Sequence, residues 1–135
     1  GNGISTAILN EPNMKIPISS LFFNFKSYNN RYKKFKLSDF KKLEFYEIDK
    51  KKFPAIDLGK EVMDMEGIAP HVFNYLNEIL VNLFLKNTIK FEEIVSLNKM
   101  NLELYFKFNR NLLNPNIDDI YEANKWIDSN INIKK

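Results

Sequence analysis

The chain of 135 residues is 44% apolar and 27% charged, which suits one compact domain and leaves no room for a second of ordinary size. It has no cysteine and a single histidine, His71, so a disulfide framework, a thiolate nucleophile, a Cys-ligated metal and a catalytic histidine pair are excluded, and a reducing intracellular setting is expected. The net charge of +3 is too evenly spread to indicate a nucleic-acid binder, and the longest apolar stretch, 79–85, is too short to cross a membrane.

The first 53 residues predict little regular structure. Asn2-Gly3 favours a tight hairpin turn and residues 4–9 predict a strand, yet only one residue precedes the turn, so we expect the chain to begin inside a structural unit. Residues 14–23 predict a short helix that tolerates Pro17 in its first turn. Residues 24–42, rich in Asn, Tyr and Lys, predict a surface connector, with a short strand over 43–48 after them.

From Pro54 onward the apolar residues recur at helical spacing. The pattern predicts a helix over 54–65 stopped by Gly67, a second from Pro70, a third over 91–108, and a fourth from Asn116 as its N-cap. Four amphipathic helices with short connections predict a small bundle over 54–135. The residues expected to face inward are Ile56, Leu58, Val62 and Met65; Val72, Leu76, Ile79, Leu80, Leu83 and Phe84; Phe91, Ile94, Val95, Leu102, Tyr105 and Phe108; and Ile117, Ile120, Tyr121, Ile127 and Ile131.

The polar residues of this region form no catalytic constellation. His71 has no His or Cys partner and is interpreted as a surface or capping residue. Asp118 and Asp119 diverge by about 100° on a helix, which favours complementing the helix dipole over holding a metal.

Two further polar groups each have a functional and a structural interpretation. The lysines at 33–34 and 50–52 alternate with aromatic residues, as on single-stranded nucleic acid, but a solvated connector is the favoured interpretation. Asn74 and Asn77 share a helix face with Glu78, and hydrogen bonds that tie a loop to the bundle are favoured for them. The sequence does not decide the role of these three residues.

Six groups of residues, taken in chain order, resemble a known family. The most specific is Asn74-Tyr75-Leu76-Asn77-Glu78, which resembles the family's Asn-Ala-Ala-Asn-Glu. The others are 2–7 with Glu11-Pro12-Asn13-Met14 and Pro17-Ile18; Asp39-Phe40 with Leu43-Glu44-Phe45; Phe53-Pro54 with Leu58 and Glu61; 84–85 with 89–94; and 117–120 with Trp126. Together they make nearly the whole chain similar to the final third of 1-deoxy-D-xylulose 5-phosphate reductoisomerase.

The chain departs from this family at several positions. Ile8 stands where the family has Gln, Asn10 where it has Gly, and Asn13 where it has Asp. The spacing between Phe40 and Leu43 is shorter, and Tyr75-Leu76 replaces two alanines, so the local packing of that helix is expected to differ.

The resemblance implies a mainly α fold: a C-terminal bundle of about four helices, preceded by a connector and by the short strand-helix tail of an upstream α/β catalytic domain. The corresponding boundaries are 1–23 for the tail, 24–53 for the connector and 54–135 for the bundle. It also implies an enzyme of non-mevalonate isoprenoid biosynthesis that uses NADPH and Mg or Mn to convert 1-deoxy-D-xylulose 5-phosphate into 2-C-methyl-D-erythritol 4-phosphate.

In that family the dinucleotide-binding fold, the metal ligands and the phosphate-binding residues lie upstream. The resemblance therefore implies no catalytic or metal-binding residue in this chain, which alone would be inactive; it places Pro12 at the substrate pocket and Met14 against the nicotinamide. It further implies upstream domains of the same enzyme as partners, a phosphosugar substrate, a homodimer, no nucleic acid or membrane partner, and a location in the bacterial cytoplasm or a plastid-type organelle. The alternatives are a free-standing helical protein-interaction module and, behind it, a basic nucleic-acid-binding domain.

Overall fold

The computed structural model describes residues 3, 13–22, 36, 38 and 42–133, with the side chain of Leu21 left out. The chain divides into two compact units, Gly1–Tyr46 and Glu47–Lys135. The described residues form five α-helices: α1 (Lys15–Phe22), α2 (Ala55–Met65), α3 (Ala69–Leu85), α4 (Glu93–Phe108) and α5 (Ile117–Asn130). The mainly α fold, with four helices in the C-terminal part, is confirmed. None of these helices is long and apolar enough to span a membrane.

The strand predictions have different outcomes. The strand over 4–9 lies outside the described residues, whereas the strand over 43–48 is wrong because residues 42–49 have no regular structure and are exposed. Local contacts occupy this segment instead of strand pairing: Glu44 pairs with Lys42 and accepts a hydrogen bond from the Tyr46 hydroxyl. These contacts lower the pKa of Glu44, the one from Lys42 more than the one from Tyr46.

Helix α1 begins with a side-chain cap. Asn13 Oδ1 accepts a hydrogen bond from the backbone N–H of Lys15 at 3.0 Å, and Pro17 lies in the first turn, where its missing N–H would have no helical partner. The short helix predicted over 14–23 is therefore present, with Asn13 as an additional N-terminal signal.

The helices of the second unit begin and end close to the predicted positions. Pro54 directly precedes α2, Pro70 is the second residue of α3, and Asn116 caps α5. Asn116 Oδ1 accepts from the N–H groups of Asp118 and Asp119 at 2.8 and 3.0 Å, while Asp119 Oδ2 accepts from the Asn116 N–H at 2.7 Å. This capping box satisfies the backbone donors that a helix start leaves open.

Helix α4 begins two residues later than predicted. Residues 90–93 form a turn in which the Glu93 carboxylate accepts from the Lys90 N–H at 2.8 Å. Phe91 lies in this turn, outside the helix, with 72% of its surface exposed.

Helix α3 is the centre of the bundle, since α2, α4 and α5 each pack against it. A larger core cluster joins all four helices, and a smaller one fills the space between the end of α3 and the start of α4. The larger contains Leu58, Val62, Ile68, Ala69, Val72, Leu76, Leu102, Tyr105, Ala123 and Ile127; the smaller contains Leu80, Ile89, Ile94 and Leu97.

Some residues predicted to face inward are exposed, because they lie on flanks of α2, α4 and α5 that are not covered by the core clusters. Besides Phe91, they are Ile56, Met65, Phe108, Ile117 and Tyr121, which are 37–66% exposed. The remaining inward predictions are buried or partly buried. Helical spacing of apolar residues therefore identifies most of the buried positions in this bundle, but it does not separate them from exposed positions on a helix flank.

Candidate functional site

The two residues predicted to lie at an active site belong to the first unit. Pro12 lies outside the described residues. Met14 directly precedes α1 and is 72% exposed, so its thioether is accessible to a ligand. Its predicted contact with a nicotinamide stays a prediction. The neighbouring departure, Asn13 in place of Asp, leaves the local structure unchanged because a carboxylate oxygen would accept the same Lys15 N–H.

The motif on α3 presents its polar side chains outward. Asn74 and Glu78 are exposed and Asn77 is half-buried. Neither asparagine side chain has a hydrogen-bond partner within the described ranges, so the structure does not show the predicted bonds to a loop. Leu76, which replaces an alanine, is 1% exposed and fills the core.

Tyr75, the other bulky replacement, belongs to a polar seam between α3 and α5 made of His71, Tyr75, Asn124 and Asp128. His71 Nε2 lies 2.7 Å from Asn124 Oδ1, and the Tyr75 hydroxyl lies 3.1 and 3.2 Å from the two carboxylate oxygens of Asp128. From the first contact to the second, the residue number rises by four on each helix, from 71 to 75 on α3 and from 124 to 128 on α5. The two helices therefore run parallel. His71 is therefore an inter-helix contact and not a capping or isolated surface residue.

The environment of the seam favours the neutral phenol. Burial, and then the hydrogen bond and charge of Asp128 and the charge of Glu78, raise the pKa of Tyr75. The rings of His71 and Tyr75 stack with their centroids 6.1 Å apart. The seam contains no activated nucleophile, and its geometry fixes the alignment of two helices.

A groove of about 540 Å³ lies between the segment before α2, α2 itself and α4. Its charged residues are of both signs: Lys50 Nζ lies 3.3 Å from Asp57 Oδ1, and Lys99 Nζ lies 4.0 Å from Glu61 Oε2. These are exposed pairs, whose contribution to stability is small. The groove therefore offers mixed charge and no buried acid or base.

The lysine-rich segment and the two adjacent aspartates form no binding site among the residues that the structure describes. Lys51 and Lys52 are exposed, and Lys52 Nζ lies 5.7 Å from the centroid of the Phe53 ring. Lys33 and Lys34 lie outside the described residues. Asp118 and Asp119 occupy the first turn of α5, and across the described part of the chain no three His, Asp or Glu side chains converge as metal ligands.

Two buried asparagines on α4 were missed from the sequence. Asn98 is 2% exposed and donates to the backbone oxygen of Phe73 in α3 at 3.2 Å; Asn101 is 3% exposed and contacts the backbone of Asn132, beyond α5. The signal was available, because positions 98 and 101 continue the stripe of Ile94, Leu97, Leu102 and Tyr105 at three- and four-residue steps. Polar residues on that stripe need partners, and here backbone groups bind both side-chain atoms of Asn101 but only Nδ2 of Asn98, whose Oδ1 is buried without a hydrogen-bond partner among the described residues.

Comparison with known proteins identifies a family model and several relatives that this chain matches. A family model described as the DXP reductoisomerase C-terminal domain matches residues 9–129. The chain is 33% identical over 120 residues to 1-deoxy-D-xylulose 5-phosphate reductoisomerase of Prochlorococcus marinus (strain MIT 9515), covering 89% of this chain and 29% of the relative. It is 34% identical over 125 residues to 1-deoxy-D-xylulose 5-phosphate reductoisomerase 1 of Bacillus anthracis, covering 93% and 31%. With the Sulfurihydrogenibium sp. enzyme it shares 36% identity over 134 residues, 98% of this chain and 33% of the relative. The chain thus spans about a third of the length of these relatives.

Proposed function

The chain belongs to the DXP reductoisomerase C-terminal domain family, and from this premise we propose that it works as the C-terminal part of an enzyme that converts 1-deoxy-D-xylulose 5-phosphate into 2-C-methyl-D-erythritol 4-phosphate. The observation that carries the proposal is the extent of the family match. Residues 9–129 include α1 and, except for the last residue of α5, all four helices of the bundle. A chance likeness of helix patterns, on which the alternative of a free-standing interaction module depended, does not account for identities of 33–36% over 120–134 residues.

The proposed reaction needs NADPH and a divalent ion, Mg or Mn. The nicotinamide supplies hydride and the ion polarises substrate oxygens when they are bound. The described residues do not fit a complete metal site, because they bring no three carboxylate or imidazole ligands together. We assign the metal, the dinucleotide site and every bond-making step to residues of the longer enzyme, and no step to the bundle.

The contribution of this chain is then limited to two positions before α1. Pro12 would line the substrate pocket, and Met14 would pack its thioether on the nicotinamide ring, a polarizable apolar contact that needs no charge. The exposure of Met14, at 72%, supports this role because its side chain is free to meet another surface. We assign no ligand contact to the buried polar side chains of the bundle, Asn98 and Asn101, since both are amides that bind backbone atoms.

A chimaeric enzyme tests the proposal. The matched segment of the Bacillus anthracis relative, 31% of that protein, is replaced by this chain, and NADPH oxidation with Mn and 1-deoxy-D-xylulose 5-phosphate is followed. We expect turnover by the chimaera and none by the relative truncated before the segment. A chimaera that folds, as judged by circular dichroism, but does not turn over substrate would contradict the proposed role.

The isolated 135-residue chain provides the second arm of the experiment. Mixed with NADPH, Mn and the deoxyxylulose phosphate, it should not consume cofactor. Steady turnover by the pure chain would overturn the assignment of the chemistry to residues outside it.

A further inference from the structure

The side chain of Asn101 holds one residue of extended backbone by both of its peptide groups. Asn101 Nδ2 donates to the carbonyl oxygen of Asn132 at 2.8 Å, and Asn101 Oδ1 accepts from the N–H of Asn132 at 2.7 Å. This is the two-way pattern by which a neighbouring strand recognises a residue, reproduced here by a single amide. The contact spans 31 residues and joins the middle of α4 to the segment that follows α5.

A third hydrogen bond fixes the orientation of the amide. Asn101 Nδ2 also donates to the carbonyl oxygen of Leu97 at 2.8 Å, so both of its hydrogens are used. A flipped amide would place Oδ1 against two carbonyl oxygens and Nδ2 against an N–H, which would lose all three bonds. With the segment in place Asn101 is 3% exposed, so the amide is shielded from water and bonded to protein groups alone. Of the three bonds, the one to Leu97 lies within α4, so it orients the amide independently of the segment.

An apolar contact lies next to the amide. Ile131 ends α5, donating to the Ile127 carbonyl oxygen at 2.8 Å, and its backbone at φ −57° and ψ 127° is already extended. Its side chain packs against the larger core cluster. The segment is thus held by one apolar side chain and by the backbone of the next residue, so residue 132 must supply an N–H but its side chain is not recognised.

We infer that Asn101 and the apolar position of Ile131 form a binding site for an extended peptide, which the chain fills with its own residues 131–133 and which accepts the same sequence from solution when that segment is released. The ligand class is an extended peptide that offers a free N–H and C=O directly after a branched apolar residue. The inference is independent of the proposed enzyme activity, because the site lies wholly within the second unit.

Hydrogen exchange on the unmodified chain is the first test. The N–H of Asn132 should exchange at least about ten times more slowly than that of Ile133, whose N–H has no hydrogen-bond partner within the described ranges. Equal exchange rates at the two positions would overturn the inference without requiring any variant to fold.

Two separate proline variants distinguish loss of the backbone contact from general effects of proline in the segment after α5. Asn132→Pro removes the N–H that Asn101 holds, whereas Ile133→Pro removes an N–H one residue further along. Asn101→Ala and Asn132→Pro should each lower the melting temperature by about 4–8 °C, and the double variant should fall no further than the lower single variant. Ile133→Pro should leave the melting temperature within about 2 °C of the parent. Additive losses from Asn101→Ala and Asn132→Pro would show that the two residues act separately.

Binding from solution is tested on a chain that ends at Asn130, which vacates both the apolar position of Ile131 and the backbone contact of residue 132. The peptide Ile-Asn-Ile-Lys-Lys, added at about 1–10 mM to match the effective concentration of a short tether, should restore part of the lost melting temperature in a dose-dependent way. Ile-Asn-Pro-Lys-Lys should do the same, and Ile-Pro-Ile-Lys-Lys should not, because only the latter lacks the N–H that Asn101 accepts. An effect that is equal for all three peptides, or that persists when Asn101→Ala is added, would overturn the inference, as would no effect of any peptide.

Discussion

Tyr75 and Asp128 join α3 to α5 through a hydroxyl that lies within 3.2 Å of both carboxylate oxygens. The pair lies one helical turn beyond His71 and Asn124, which make the second contact between the same helices. Residues that are bulkier than the family's alanines thus extend the interface between α3 and α5 without disturbing the core beneath, where Leu76 is 1% exposed. The helix tolerates Tyr75 because its phenol reaches past the core to a carboxylate at the surface.

This pair predicts a change of stability in alkaline solution. Burial first, and then Asp128 and Glu78, raise the pKa of Tyr75 above its ordinary value of 10.0. A raised pKa in the folded state means that the stabilisation is present below pH 10 and is lost as the pH rises through the folded pKa. Tyr75→Phe should therefore be less stable than the parent near pH 7, by about 0.5–1 kcal/mol for the lost hydrogen bond, and the difference should shrink above pH 10.

Thermal unfolding between pH 7 and pH 11 measures this difference. Asp128→Asn is the matched control, because it keeps a hydrogen-bond acceptor and removes the charge. The stability that it loses between pH 7 and pH 11 should lie between the losses of the parent and of Tyr75→Phe. A Tyr75→Phe chain that lost stability with pH as steeply as the parent would show that Tyr75 does not contribute.

The different burial of two leucines on α3 predicts that their substitution by alanine lowers the free energy of unfolding by different amounts. Leu80 is fully buried in the smaller cluster, and Leu83 is partly buried against it. Leu80→Ala should cost about 2–5 kcal/mol, through lost transfer free energy and the cavity left behind, which is a large share of the stability of a small domain. Leu83→Ala should cost less, since part of its side chain already meets water. Denaturant unfolding measures both, and equal costs would contradict the burial assigned to α3.

The helix boundaries could be predicted from the sequence because local chemistry sets them. Pro54 and Pro70 at helix starts, Asn116 as an N-cap and Gly67 as a stop each act through their own backbone or side chain, independently of the rest of the fold. The depth of burial could not be predicted in the same way. Ile117 and Tyr121 fit the apolar stripe of α5, yet they are 64% and 59% exposed because α5 packs mainly on α3.

The polar contacts escaped sequence reasoning for a different reason. Asn101 and Asn132 are 31 residues apart, and nothing local to either identifies the other. The same holds for Tyr75 and Asp128, which lie 53 residues apart. For the two residues predicted at an active site, only the exposure of Met14 is now known, since Pro12 lies outside the described residues. The ligand contacts proposed for both residues stay predictions.

Two glycines predict opposite effects of the same substitution. Gly67 has φ +59°, and a Cβ there would lie 2.4 Å from the Leu112 carbonyl oxygen and 2.9 Å from the Leu113 Cα, both backbone atoms. Gly67→Ala should therefore destabilise the bundle by about 1–3 kcal/mol. Gly59 lies inside α2 and a Cβ there would meet no atom within 4 Å, so Gly59→Ala should stabilise by about 0.4–1 kcal/mol. Melting temperatures of the two variants measure the contrast, and a shift of the same sign in both would contradict the close approach at Gly67.

Met14 provides the prediction that links this chain to catalysis, and the chimaeric enzyme is the system in which to test it. If the thioether packs on the nicotinamide, Met14→Ala removes apolar contact that, at roughly 25 cal/mol per Å² of buried apolar surface, is worth about 1–2 kcal/mol. The KM for NADPH should then rise about 5- to 30-fold.

Met63→Ala is the matched control, because Met63 is a methionine of similar exposure, 67% against 72%, on a helix to which no site is assigned. We expect the control to leave the KM for NADPH unchanged and both variants to keep the melting temperature of the parent. A Met14→Ala enzyme with an unchanged KM for NADPH and turnover number, but a lower melting temperature, would show that Met14 only supports the start of α1, and would remove it from the proposed cofactor site.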